Sequence, residues 1–412
     1  MVNGWIEAQL KDISSMKSGN TITEAKITTL GRFPCYGGNG LRGYTTDYTH
    51  NGEFALIGRQ GALCGNVVAV DGMFFASEHA IVVTPKENIY IRFLTYVLKN
   101  IGLSQYSESS AQPGLSVQKI LGVSCYIPQS LPEQRLIAAL LSDTDELIAA
   151  LEKLIAKKRN IKQGAMQELL TGERRLPGFS SGWVEMNLAA NSSLKARIGW
   201  QGLTTAEYLN DGYAYLITGT DFSNGKIHWA TCHYVDKYRF DQDINIQVGN
   251  GDILITKDGT IGKVAIVNNL NKKATLNSGV FVVRPKNNAY DRAFIYHILQ
   301  SEIFTDFLAQ LAAGSTINHL YQKDFVGFVF FVPPTIKEQT SIASILSDMD
   351  AEIDALAAKL TKLKQIKQGM MSELLTGRIR LTESDVRDGY APILEEDPLM
   401  LKVAESQGEY KK

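Results

Sequence analysis

The run Tyr36-Gly37-Gly38-Asn39-Gly40-Leu41-Arg42-Gly43-Tyr44 sets an amide and a guanidinium among glycines. Glycine lets backbone come close to a phosphate or a base edge, while Asn can pair bidentately with adenine and Arg with guanine. Those residue types suit the reading of duplex DNA, with Tyr36, Gly38, Asn39 and Arg42 as candidate contacts. They suit a surface hairpin with an Asn-Gly corner equally well. Two further segments follow the same logic: Gly58-Arg59-Gln60-Gly61 and, at offset 198, Thr256-Lys257-Asp258-Gly259 each put one cation and one short-range polar group at a turn. Thr260 and Lys263 follow in the second, and Ser77-Glu78-His79 and Leu276-Asn277-Ser278 occupy the next equivalent loop. Candidate DNA contacts are therefore Arg59, Gln60, Ser77 and His79 in one half of the chain and Lys257, Asp258, Thr260, Lys263, Asn277 and Ser278 in the other. Hairpin chemistry accounts for the glycines as readily, and a lone His is more often a structural hydrogen-bonder than a reader.

Chemistry of other kinds has little to stand on. There is no GxxxxGKS/T phosphate loop, no Asn/Asp-Pro-Pro-aromatic segment of the amino-methyltransferase kind and no HExxH. The six His and four Cys show no local ligand spacing, so no metal is expected. Pro333-Pro334 reads as the lead-in to a helix. No catalytic residue is assigned.

The elements that position these loops are announced by a repeat. Ser130-Leu131-Pro132-Glu133-Gln134 through Glu168-Leu169-Leu170-Thr171-Gly172 recurs 205 positions later as Thr335-Ile336-Lys337-Glu338-Gln339 through Glu373-Leu374-Leu375-Thr376-Gly377. Ser130 with Glu133, and Thr335 with Glu338, have the form of capping boxes; Gly172 and Gly377 have the form of left-handed stops. The second copy carries a heptad seam at Ile342, Leu346, Met349, Ile353, Leu356, Leu360 and Leu363. The first carries it at Ile137, Leu141, Thr144, Ile148, Leu151, Ile155 and Lys158, with two polar positions. Helices of this kind run to about 60 Å and must bury their stripes. An antiparallel pairing of the two copies is expected, with an approximate two-fold axis and the intervening domains at opposite ends; sealing against separate domains or against another protein's coiled coil is the alternative. Gly164 and Gly369, at equivalent places inside the helices, permit close approach of another backbone or are simply inherited from the duplication.

The intervening segments are related more loosely. Trp5 and Trp183 open them, and Val83-Thr84-Pro85-Lys86 parallels Val283-Arg284-Pro285-Lys286. Both read as α/β: β-rich runs at 53–57, 66–70 and 80–84 and at 252–256, 263–267 and 279–284, each set followed by helix, over 291–312 in the second. The expected organisation is a first domain over 1–129, a helix over 130–172, a second domain over 173–334, a helix over 335–377 and a tail over 378–412. The net charge of -1 is no signature of a nucleic-acid binder. It is unevenly placed, since from Thr382 onward eight acidic and four basic residues leave the body at +3. No apolar run of about 18 residues and no leader pattern is present, which points to a cytoplasmic protein with reduced thiols.

The order domain, capped helix, domain, capped helix, with Glu-Leu-Leu-Thr-Gly closing each helix and Arg174-Arg175-Leu176-Pro177-Gly178-Phe179 leading into Gly182-Trp183, resembles the specificity subunit of type I restriction-modification enzymes. So does the Tyr36–Tyr44 run, with Gly58-Arg59-Gln60-Gly61 after it. The resemblance spans about residues 1 to 381 and leaves out the acidic tail. It implies two α/β target-recognition domains on an antiparallel coiled coil, each reading half of a split, asymmetric duplex DNA site. It also implies two methyltransferase subunits bound alongside, which methylate adenine with S-adenosylmethionine, and restriction-translocation subunits, using ATP and Mg, that can join them. The chain itself would hold no cofactor and catalyse nothing. A coiled-coil scaffold for protein or carbohydrate, or the detached specificity portion of a single-chain restriction-methylation enzyme, are the other readings.

Overall fold

The computed structural model describes residues 4–107, 113–312 and 319–381; the expected tail from 382 lies outside them. The chain divides into two compact units, residues 1–154 with 356–412 and residues 155–355. Each unit holds one α/β domain, the starting half of the helix that follows it and the finishing half of the other helix, so the units cut across the linear domain boundaries.

In the first unit a four-stranded sheet runs in the order Ser14–Ser18, Ala80–Pro85, Phe54–Gly58, Val67–Val70, and a second in the order Gly40–Thr45, Phe33–Gly37, Met73–Ala76, His50–Asn51. The second unit repeats both: Ser192–Ala196, Val280–Pro285, Ile253–Thr256, Val264–Ile266, then His233–Val235, Ala214–Ile217, Ala274–Leu276, Gln247–Val248. In each second sheet the central pair is parallel. A separate antiparallel ribbon, Trp5–Gln9 with Ser124–Pro128 or Val184–Asn187 with Val329–Val332, joins the two ends of each domain. The expected strands are present. The helix expected over 291–312 is two helices, Arg292–Leu299 and Glu302–Ala312, because the Gln300 N–H caps the first by turning back onto His297 O and the chain restarts at Ser301.

The repeated segments form single helices, Leu131–Thr171 and Ile336–Leu374. Within each unit the two helix segments are antiparallel, as the ion pairs show. Asp145 meets Lys367, and Glu152 meets Lys364 at 2.7 Å, in the first unit; Lys162 meets Asp350 and Lys158 meets Glu352, both at 2.6 Å, in the second. The seam residues Ile137, Leu141, Ile148, Leu151, Ile155, Ile342, Leu346, Ile353, Leu356 and Leu363 are buried, and Met349 and Leu360 half-buried. The two polar seam positions are accounted for: the Thr144 hydroxyl bonds back to Leu140 O at 2.8 Å, and Lys158 takes Glu352. The stripes are not buried on helix alone. Ile137 and Leu141 with Met371 and Leu374 belong to the first domain's core, and Leu169 and Leu170 with Ile342 and Leu346 to the second's.

The helix caps depart from expectation in one respect. The hydroxyl half of each box is made, Glu133 N to Ser130 Oγ at 3.4 Å and Glu338 N to Thr335 Oγ1 at 3.3 Å. The carboxylates do not turn back to the cap. Glu133, 4% exposed, takes the Arg380 guanidinium at 2.7 Å and the Trp5 indole N–H at 3.2 Å, and Glu338, 1% exposed, takes Arg175 at 2.9 and 3.0 Å. Arg offers a planar fork that matches a carboxylate with two bonds, which outcompetes one backbone N–H in a buried place. The next residue anchors each helix to its own domain: Gln134 accepts from Tyr90 N and donates to Pro128 O, and Gln339 accepts from Asp291 N and donates to Pro333 O, all at 2.8 to 3.0 Å. Gly164 and Gly369 face open space, so neither glycine is required by a close approach within the described residues.

Two predictions follow from this packing. Glu133→Ala removes the acceptor of the Trp5 indole N–H and the carboxylate that the Arg380 guanidinium grips, so it is expected to cost about 2–3 kcal/mol. Much of that loss should be recovered when Arg380→Met is added, in a denaturant-melt double-mutant cycle. His297, buried with Nε2 3.1 Å from Ser347 Oγ, has its pKa pushed down to about 3 by burial and then by the Lys162 cation. The unfolded chain binds this proton from about pH 6.5 downward and the folded chain does not, so stability is full above pH 6.5 and falls as pH drops toward 3, by roughly 1 kcal/mol per unit. In His297→Gln the pH slope of stability between 4 and 6 should flatten by that amount.

Candidate nucleic-acid interface

The Tyr36–Tyr44 run is a hairpin. Gly37 faces Gly40 across a turn at Gly38-Asn39, and the register passes from Tyr36↔Leu41 to Cys35↔Gly43, leaving Arg42 as the extra residue of a bulge. The glycine at 43 is required twice over: its φ is +151°, and a side chain there would lie 2.6 Å from Thr28 O. A bulge breaks the alternation of a strand and re-aims its side chains. Asn39 and Arg42 accordingly project into solvent.

Three loops converge at the tip. A Cβ on Gly38 would stand 2.7 Å from Gln60 O and one on Gly58 2.2 Å from Gly38 O, so bare backbone packs on bare backbone. Arg59 N donates to His79 O at 2.9 Å, and His79 Nδ1 lies 3.0 Å from Gln60 Oε1. Leu115 N in turn donates to Arg59 O at 2.9 Å. Gly38, Arg59, Gln60 and His79 are therefore brought together, with Asn39 and Arg42 beside them. Two candidates are scaffold rather than surface. Ser77 is fully buried, its N–H held by Tyr36 O at 2.9 Å. Tyr36 is half-buried with its ring edge-on to Phe74 at 5.9 Å, and burial raises its phenol above the ordinary range.

The second unit builds the same frame from other side chains. Lys257 N donates to Gly279 O and Leu320 N to Lys257 O, both at 2.9 Å, matching Arg59 and Leu115. Asn277 N donates to Ile217 O at 2.9 Å, matching Ser77 and Tyr36. Thr260 and Lys263 are exposed. Lys257 lays its ammonium over the Phe281 ring at 5.3 Å, the Asp258 carboxylate lies against His319 Nδ1, and Asn277 Nδ2 donates to Tyr208 OH at 2.7 Å while Ser278 N donates to Asn277 Oδ1, also at 2.7 Å. The backbone match also reveals what sequence reasoning missed. Thr218-Gly219-Thr220-Asp221 occupies the place of the Gly37–Gly40 turn, held by the Asp221 carboxylate on Thr218 N and Oγ1 at 2.8 Å. Its signal was weak: strand Ala214–Ile217 ends at an offset of 181 from Tyr36, between the offsets of the flanking matches. Where the first copy has Gly58, the second has Thr256, whose Cγ2 would lie 3.0 Å from a Cβ on Gly219.

The match to the family model described as "Type I restriction modification DNA specificity domain" covers residues 3–163 and 203–366. The chain belongs to that family. Over 142 residues it is 43% identical to the EcoprrI specificity subunit of Escherichia coli, a match spanning 34% of this chain and only 35% of that relative. Over 350 residues it is 24% identical to the MjaVIII specificity subunit of Methanocaldococcus jannaschii, spanning 81% of this chain and 78% of that one. Its fold is that of the S subunit of a type I restriction-modification system from M. genitalium, with a TM-score of 0.67 at 17% identity over 91% of this chain and 98% of that one. The family model thus spans the first domain, the second domain from residue 203 onward and most of both helices. Among the described residues no helix is long and apolar enough to cross a membrane, and no group of three potential metal ligands gathers.

The convergence of bare backbone makes a testable distinction. Gly58→Ala must displace the hairpin tip and is expected to cost about 1–3 kcal/mol as overpacking does, read as a lower melting temperature together with altered amide signals at Gly38 and His79. Arg42→Ala, on the solvent side of the same hairpin, should change stability by no more than about 0.5 kcal/mol.

Proposed function

We propose that this chain reads a bipartite, asymmetric duplex DNA target, one half with each domain, and holds two adenine methyltransferase subunits on it while catalysing nothing itself. The observation that carries the reading is one backbone frame built twice with different groups on it. Asn39, Arg42, Arg59 and Gln60 on one frame, and Thr220, Lys257, Asp258, Thr260 and Lys263 on the other, present unlike sets of donors and acceptors. Amide and guanidinium pairs suit adenine and guanine, and a carboxylate can accept from the cytosine amino group. Unlike groups on like frames give unlike half-sites. S-adenosylmethionine would be held by the methyltransferase subunits, and ATP with Mg by restriction subunits where these join. Family membership supports the DNA reading, and the modest charge fits a complex in which partners supply part of the phosphate contact.

The test is binding of the assembled complex to duplex DNA containing its methylated site, followed as salt is raised. Phosphate contacts release counterions, so affinity should fall by at least about tenfold between 50 and 200 mM salt. Replacing residues 1–128 by the equivalent domain of a relative should change one half of the methylated sequence and leave the other. Salt-independent binding, a change in both halves, or methylation by the purified chain alone would each overturn the reading.

A further inference from the structure

Each frame brings an imidazole onto the polar side chain that follows its loop cation. In the first unit His79 Nδ1 lies 3.0 Å from Gln60 Oε1, next to Arg59. In the second, His319 Nδ1 lies against an oxygen of the Asp258 carboxylate, next to Lys257. An amide oxygen and a carboxylate oxygen accept and do not donate, so the ring nitrogen is the donor in both pairs. Further contacts steady the rings: Glu78 Oε1 stands 3.4 Å from His79 Nε2, and the Tyr321 ring packs 4.4 Å from that of His319.

The two histidines do not occupy equivalent places. Backbone bonds fix the correspondence: Arg59 N donates to His79 O as Lys257 N does to Gly279 O, and Leu115 N donates to Arg59 O as Leu320 N does to Lys257 O, all at 2.9 Å. Position 79 therefore answers to 279, and position 114 to 319. The first unit has His79 and Gly114 where the second has Gly279 and His319. Histidine and glycine have changed places. The bare glycine matters in the second unit, because a Cβ at 279 would meet Asp258 Oδ2 at 3.6 Å and a ring built on it would crowd the carboxylate that His319 already holds. A ring inherited from the duplication would stand at the same position in both copies. Delivery of the same ring from different positions to the same loop residue points instead to a requirement at that residue.

What the ring controls is which atoms the residue has left for a ligand. Gripped by its oxygen, the Gln60 amide leads with Nε2, a donor. Asp258, with one oxygen on the ring, keeps the other as an acceptor. In the major groove guanine O6 and thymine O4 accept, whereas adenine N6 and cytosine N4 donate. A pinned donor thus favours a keto base and a pinned acceptor an amino base. Pinning is needed most at Gln60, which is exposed: an unheld amide can rotate about its last bond and offer either end. Holding the side chain before DNA arrives also spares rotamer freedom that would otherwise be lost on binding.

We propose that His79 and His319 are positioning residues that set the polarity of the readers beside them, so that Gln60 selects guanine or thymine in one half-site and Asp258 selects adenine or cytosine in the other. The inference rests on the DNA reading proposed above and adds to it the class of base that each loop takes.

The test gives the complex assembled with methyltransferase subunits S-adenosylmethionine and duplexes randomised across the target, and counts the methylated sequences. With the unaltered chain, one position in the first domain's half-site should prefer keto bases and one in the second's should prefer amino bases, each by at least about tenfold, a usual cost of one wrong base pair. Gln60→Glu, still held by His79 but offering only acceptors, should turn its position from keto to amino. Asp258→Asn, held by its oxygen, should turn its position from amino to keto. His79→Phe and His319→Phe should abolish the preference at the same two positions and at no other, and His79→Asn and His319→Asn, which can place an amide N–H where Nδ1 stood, should restore it. If a histidine variant fails to fold, the substitutions at the accessible Gln60 and Asp258 side chains still decide the matter. Preferences unmoved by Gln60→Glu and Asp258→Asn, or phenylalanine variants that lower the melting temperature and weaken binding to all sequences alike, overturn the inference while leaving the DNA reading in place. An unaltered complex that selects no sequence overturns both.

Discussion

A buried carboxylate at the start of each long helix is the constraint on which the rest depends. Glu133 and Glu338 lie where a charge is costly unless fully paired, and each is answered by an Arg that follows the end of the other helix. Such a pair does more than join two side chains. It fixes a helix start, a helix finish and, through the indole of Trp5 or the stacking of Arg175 5.9 Å over Trp183, the first strand of a domain in one place. Because Glu133 and Glu338, and Arg175 and Arg380, are each separated by the same 205 positions, the two units are locked by the same device.

Once the ends are locked, the middle follows. The helix seams enter the domain cores at Ile137 and Ile342, so that helix and sheet share one apolar interior within a unit. The ribbons that open and close each domain then hold the sheets, and the sheets hold the loops. At the loops the strictness is relaxed for side chains but not for backbone: Gly38 against Gln60 and Lys257 against Gly279 are backbone contacts, indifferent to what the side chains read. Specificity can therefore change without the frame changing.

Much of this was legible in the sequence. The helices, their stops and their seams were written in a constant offset, and the strands Phe54–Gly58, Ala80–Pro85, Ile253–Thr256 and Val280–Pro285 in β-rich runs. Other features were not, for physical reasons. A capping-box pattern states that Glu133 can reach back to its own helix, not that Arg380, 247 residues away, will bind it better. Ser77 looks like a polar loop residue until the hairpin packs over it. The equivalence of Thr218-Gly219 with the Gly37–Gly40 turn rests on backbone hydrogen bonds that no side-chain pattern records, and the break at Gln300 on a local bond within the last helical turn. Side-chain periodicity registers burial; it is silent on which of two buried partners wins.

The contacts of Trp5 and Trp183 carry one more consequence. Trp183 packs on Gly172, the glycine that stops the first long helix, and Trp5 packs on Gly377, which stops the second. Each stop glycine thus has a second duty: bare of a side chain and left-handed, with φ of 78° at Gly172 and 72° at Gly377, it is the flat seat for the indole that opens a domain, so in each unit the turn that ends a helix also fixes where a sheet ribbon begins.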